Sequence, residues 1–194
     1  MKIAVVAANG KAGRLIVKEA MSRGHDVTAV VRGENRTMTP NAIIKDVFNL
    51  TMADLAGFDV VIDAFGTWSP DTLPQIAQAA GHLADLLSGT DIRLIVVGGA
   101  GSLFVNKEHT KALEDTPEFL DAYKPVSAAH VAALNLLRNR DDVKWTYVSP
   151  AADFQAEGER TGSYGLAGEE FTTQCRREKL HQLCRLCHRH GRRS

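Results

Sequence analysis

Residues 2–13 read KIAVVAANGKAG, and this stretch restricts the possible folds more than any other in the chain. A short apolar run, residues 2–7, meets glycines at positions 10 and 13. A helical pattern then follows through Leu15, Ile16, Ala20 and Met21 and closes at Gly24. A strand, a glycine turn and a helix at this spacing imply the first half of a βαβ unit. Gly10 would let the backbone approach a ligand closely, and Gly13 would let helix and strand pack tightly. Free N–H groups at a helix start, aided by the helix dipole, favour an anion. The segment Ala8, Asn9, Gly10, Lys11, Ala12 and Gly13 is therefore read as a cradle for a dinucleotide diphosphate. The plainer alternative is a tight turn with packing glycines.

The pattern repeats downstream. Strands are expected at 25–32, 42–45, 59–65, 93–97 and 144–148, and helices at 51–56, 73–87 and 126–138. The strands are continuously apolar rather than alternating, which suggests a sheet buried on both faces. Strands separated by helices suggest parallel, right-handed crossovers. The expected architecture is one doubly wound α/β domain over residues 1–173, with a mostly parallel sheet. In such sheets an acid at the end of the second strand binds the ribose 2′-hydroxyl of NAD. Arg32 stands there instead, and a guanidinium suits a 2′-phosphate by charge and by its forked donors. NADP(H) is expected over NAD(H), a preference softened by the nearby Glu34; the plainer alternative is that Arg32 is a solvated surface arginine.

The net formal charge of +0 gives no basis for a nucleic-acid or membrane partner. The N-terminus runs straight into a strand pattern, and no apolar stretch reaches the length of a membrane span. These features imply a cytoplasmic protein, a monomer or small homo-oligomer.

Four segments carry a family resemblance: KIAVVAANGKAG, VVIDAFGTW, RLIVVGGAGSL and WTYVSPAADFQAEGERTGSY. With them the chain resembles an atypical short-chain dehydrogenase/reductase of the NmrA-like type. Within that type it is similar to the group named NADH-flavin reductases and to biliverdin reductase B (flavin reductase). The resemblance implies a Rossmann-like domain and further cofactor contacts. Asp46 and Val47 would flank adenine, and Ala64, Phe65 and Gly66 would lie along its ribose. Gly98, Gly99 and the loop to Ser102 would approach nicotinamide, bordered by Ser149 and Pro150. Two departures stand out. The family's first glycine is Ala7 here, which is tolerable only at negative φ. The Tyr-x-x-x-Lys pair of orthodox short-chain dehydrogenases is also missing: Tyr123 is followed four residues on by Ser127, and Lys124 is adjacent. A flavin or quinone acceptor, bound as a substrate, needs no such proton donor, and neither does a non-catalytic NADP-sensing regulator.

No catalytic residue is evident. Ser102 is the weak candidate, with a turn hydroxyl as the alternative. His109 and His130 are candidate acids, though a lone histidine is more often a surface or packing residue. Trp68, Phe104, Phe154 and Tyr164 could wall a pocket for a small planar redox substrate, with simple core or lid packing at least as good a reading for each, and Glu157, Glu159 and Arg160 read as charged surface. No metal site is expected.

The tail, 174–194, is different in kind. Cys175, Cys184 and Cys187 are the chain's only cysteines, and seven Lys or Arg face the single acid Glu178. Cys184-Arg185-Leu186-Cys187-His188 matches a haem attachment pattern, but that chemistry needs an exported chain. With His181 and His190 it could also pass for a zinc cluster. Codons exist for Gln174–Ser194 whose next reading frame encodes NAEGKSYISYADYAIAMVDE, which holds the family's Ser-Tyr-Ala-Asp-Tyr-Ala segment and a helical pattern. The tail is accordingly expected to be a frameshift product, poorly ordered, replacing a helix that should cover apolar surface.

Overall fold

The computed structural model describes residues 1–155, 158, 165–172 and, for the backbone, 185–186. Glu157, Glu159, Arg160, Tyr164 and the cysteines and histidines of the tail lie outside the described residues. Six parallel strands form one sheet: β1 (Lys2–Val6), β2 (Asp26–Val31), β3 (Ala42–Ile44), β4 (Val60–Asp63), β5 (Arg93–Val97) and β6 (Lys144–Val148). Their spatial order is β3-β2-β1-β4-β5-β6. Chain direction across the sheet reverses between β1 and β4, the position where this topology opens a ligand crevice. A separate two-residue parallel ladder joins β7 (Leu166–Ala167) to β8 (Arg185–Leu186).

Side-chain alternation explains why the strands read as unbroken apolar runs. On β1, Ala4 and Val6 join a core with Val61, Leu83, Leu87, Leu94, Leu137 and Trp145. Ile3 and Val5 face the other way and pack with Val17, Ala20, Val27 and Ala29. The first core is covered by α3 (Pro74–Leu86) and α4 (Lys124–Arg138), the second by α1 (Lys11–Ser22). Each face needs its own apolar set, so neither can be given up to polar residues. A short helix, α2 (Met52–Leu55), is closed by a capping box in which Thr51 and Asp54 satisfy each other's backbone donors. None of the helices among the described residues is long and apolar enough to cross a membrane.

Element boundaries differ from expectation where a side chain intervenes. The strand expected at 59–65 stops at Asp63, because the Asp63 carboxylate turns back to accept from the Phe65 amide at 2.9 Å. Helix α4 begins two residues early, at Lys124. Pro125 falls in its first turn, where a missing N–H costs nothing.

Candidate functional site

The carboxyl ends of β2, β1 and β4 open onto a cleft of about 370 Å³ at the strand-order reversal. Its wall takes Val6, Ala7, Asn9 and Gly10 from the first turn, Arg32, Glu34 and Arg36 from the connection after β2, then Lys45 and Val47, and Ala64, Phe65 and Gly66 from the end of β4.

The first turn is built by conformation. Ala7 sits at φ 54, in the left-handed region, which overturns the expectation that an alanine here keeps negative φ. The strain is held because the Gly10 N–H closes the turn on the Ala7 carbonyl at 2.9 Å. A left-handed alanine costs about 1–2 kcal/mol, partly offset by the extra chain entropy that a glycine would lose. We expect Ala7→Gly to stabilise the protein by about 0.5–1 kcal/mol, read as a Tm rise of about 2 °C. A lower Tm would mean that packing of the methyl group outweighs the strain.

Two expected diphosphate contacts have other duties. Gly10 spends its N–H on the turn. The Asn9 side chain donates to the Glu34 carbonyl at 2.8 Å and accepts from the Arg36 amide at 2.8 Å. The available donors are therefore the first-turn amides of α1 at Lys11, Ala12 and Gly13. They have no intrahelical acceptor, and no side chain caps them. Gly13 gives the close approach that was expected: a Cβ there would lie 2.6 Å from the Ala7 carbonyl oxygen and 2.8 Å from the Ala8 Cα. Ala8 is fully buried and supports the turn from beneath. The cradle fits a diphosphate: bare amides, glycine where a side chain would intrude, and a positive helix end.

Beyond the turn, the wall is cationic. Arg32, Arg36 and Lys45 line it against the single acid Glu34. Lys45 is engaged by Asp54 at 2.6 Å, and Arg36 lies 4.0 Å from Glu34. Arg32 is exposed and makes no ion pair among the described residues. Arg36 and Lys45 were not anticipated, since nothing local marks them as neighbours of residue 9. Of the pair expected near adenine, only Val47 lines the cleft. Asp46 instead caps a helical turn by accepting from the Phe48 amide at 3.0 Å. Asp63 lies just beneath the Ala64–Gly66 wall, 2 % exposed, and burial pushes its carboxyl up to about 7.

The end of β5 is organised by a tyrosine the sequence reading passed over. The Tyr147 hydroxyl accepts from the Gly99 amide at 3.2 Å and donates to the His130 carbonyl at 3.1 Å. Its ring fills the space that a side chain on Gly98 would need. Burial pushes the phenol upward, so it stays protonated. Ser127 donates to Glu114 at 2.6 Å beside Gly101, another position with no room for a side chain. Ser102 turns its hydroxyl back towards the Gly99 carbonyl at 3.5 Å, and it shares a small hollow with Ser149 and Tyr147. Pro150 is buried beside Ser149. Burial pushes the His130 imidazole down to about 4, so it is neutral near pH 7 and no reservoir of protons. His109 stacks on Phe104 with ring centroids 4.6 Å apart. Tyr123 is half exposed, and Lys124 pairs with Asp121 at 2.7 Å. The described residues thus hold no tyrosine–lysine couple at the start of α4.

Comparison with known proteins agrees with this geometry. A family model described as NAD(P)H-binding matches residues 7–185. The Bacillus subtilis protein YwnB, which has no assigned activity, is 43% identical over 166 residues, spanning 84% of this chain and 78% of its own. A crystal structure from Streptococcus pneumoniae, of a protein assigned as an NADH-flavin reductase by name alone, superposes with a TM-score of 0.88 at 52% identity. It covers 90% of this chain and 83% of that one. The Lmo0794 protein of Listeria monocytogenes gives a TM-score of 0.61 at 35% identity over 80% and 82% of the two chains. A Rossmann-like sheet, a glycine cradle at its crossover point and a match running nearly the whole length place this chain in the NAD(P)H-binding family.

Proposed function

We propose that the protein is an NADPH-dependent reductase that delivers hydride to a flavin, quinone or similar planar acceptor. The observation that carries this reading is the cationic cleft wall, in which Arg32 has no ion pair among the described residues, beside an amide cradle suited to a diphosphate. The similar streptococcal protein is named for NADH. The side chains here favour the phosphorylated form, because a 2′-phosphate would meet Arg32, which has no ion pair among the described residues, with Arg36 and Lys45 nearby but already facing Glu34 and Asp54.

When bound, the cofactor supplies a hydride from its nicotinamide ring. The protein's own part is binding and orientation. The amides of Lys11, Ala12 and Gly13 hold the diphosphate, and Val47 and Phe65 give the adenosine half apolar walls. Tyr147 fixes the Gly98–Gly99 segment at the other end. Among the described residues no tyrosine–lysine couple is positioned to protonate a carbonyl, which suits an acceptor whose reduced ring takes its proton from water.

Steady-state oxidation of NADPH with FMN, riboflavin and a quinone tests the reading. Turnover with at least one of them is expected. Tight NADPH binding with no turnover on any acceptor would instead make the protein an NADP-sensing regulator. For Arg32→Ala, we expect the NADPH Kd to rise about 10-fold, the worth of a charge-assisted contact at an exposed site, while the NADH Kd stays nearly constant. Equal losses for both nucleotides would refute the role given to Arg32.

A further inference from the structure

Trp68 stands out among the aromatic residues because it is 70 % exposed, whereas Trp145 is 5 % exposed in the core. A large apolar ring left in water forgoes a substantial burial gain. Trp68 is not alone. Its ring meets that of Tyr123 edge-on, with centroids 5.8 Å apart and an interplanar angle of 66°, and Tyr123 is itself 47 % exposed. A T-shaped partner steadies the indole and can cover at most one of its two faces.

The position of the pair is informative. Trp68 lies in the connection from β4 to α3, two residues beyond Gly66 of the cleft wall. Tyr123 lies in the connection from β5 to α4. Both connections leave from strand carboxyl ends, and β4 and β5 are neighbours in the sheet. The pair therefore bridges adjacent strands on the edge that carries the cofactor cleft. It also lies on the opposite side of β1 from Arg32, so a cofactor with its 2′-phosphate at β2 extends towards it. The segment beneath Trp68 is tied down: the Thr67 and Thr72 hydroxyls are 2.6 Å apart, and the Ser69 amide donates to Thr67 Oγ1.

We propose that Trp68, steadied by Tyr123, is the stacking platform for the planar acceptor ring, an isoalloxazine or a quinone. This rests on the reductase reading for the identity of the ligand, but it can be tested by binding alone. Stacking needs an accessible π-face beside the reacting end of the cofactor, and this pair supplies one on the β4–β5 side of the cleft.

The two tryptophans make the test direct. In the full-length chain, Trp68 should emit as a water-exposed indole and Trp145 as a buried one. Titration with FMN, corrected for inner-filter absorption, should quench the exposed component, and Trp68→Phe should remove that quenching. Trp68→Ala should raise the KM for FMN about 10-fold and leave the Kd for NADPH unchanged. If turnover with FMN proceeds while Trp68 emission ignores saturating FMN, the platform is wrong and the reductase reading stands. If FMN quenches Trp68 but no acceptor is turned over, the platform stands and the reductase reading falls. Emission that shifts with protein concentration and not with flavin would assign the pair to contact between two copies of the chain and overturn the proposal.

Discussion

Gly13→Ala is expected to cost about 3 kcal/mol of stability and to abolish measurable NADPH binding. The added methyl group would sit 2.6 Å from the Ala7 carbonyl oxygen and 2.8 Å from the Ala8 Cα. Both obstacles are backbone atoms of a buried turn, so no side chain can rotate aside. Helix α1 would have to lift from β1, carrying with it the amides of Lys11, Ala12 and Gly13. Stability and binding should therefore fall together. Urea denaturation gives the first quantity and calorimetry with NADPH the second. Gly10→Ala supplies an internal comparison. Its Cβ would lie 3.2 Å from the same carbonyl and its φ is an ordinary −66, so the loss should be several-fold smaller. Equal losses at the two positions, or an unchanged midpoint for Gly13→Ala, would contradict the packing account.

The second large effect is a pH dependence that the intact protein conceals. Asp63 ordinarily titrates at 3.8, and burial pushes it up to about 7. Between these values the folded protein keeps a proton that the unfolded chain gives up, so the Asp63 contribution falls as pH rises. His130 behaves in the opposite sense. Its ordinary value is 6.5, and burial pushes it down to about 4. Across that interval the unfolded chain takes a proton that the folded protein refuses, so stability rises with pH. Each slope is at most about 1.4 kcal/mol per pH unit, and between about pH 4 and 6.5 they oppose each other. Paired carboxylates act lower down: the Lys45 ammonium holds Asp54 at about 2. The wild-type protein should thus be nearly flat across the window. Asp63→Asn, which keeps an oxygen for the Phe65 amide, should unmask the rising slope and gain about 2 kcal/mol at pH 8. His130→Gln should unmask the falling one. Parallel stability curves for all three proteins would show that neither group titrates as its burial implies.

The sheet was legible because a strand covered on both faces announces itself. Arg93–Val97 and Lys144–Val148 form at the residues expected, and the other strands differ only at their ends. The strand–turn–helix geometry at residues 2–13 was legible for a similar reason, since its parts are contiguous. What could not be read was whatever depends on distant partners. Asn9 looks like a ligand residue in sequence, yet both ends of its amide are committed to residues 25 and 27 positions away. Lys45 reaches the cleft only because β3 pairs with β2. Asp63 read as an interior residue of a strand running to 65 and proved to be a buried acid at the strand's end. Tyr147 was visible as part of a strand, but its hydroxyl links a loop to a helix.

The commitment of Asn9 has a consequence for how the protein meets its nucleotide. The loop bearing Arg32 and Arg36 is clasped to the first turn through two hydrogen bonds formed within the protein. The entropy of ordering that loop is thus spent during folding and not at the encounter. On the proposed reading, discrimination between phosphorylated and unphosphorylated coenzyme would then rest on a socket formed before the encounter. A change that loosens the clasp would blur discrimination and weaken grip in the same stroke.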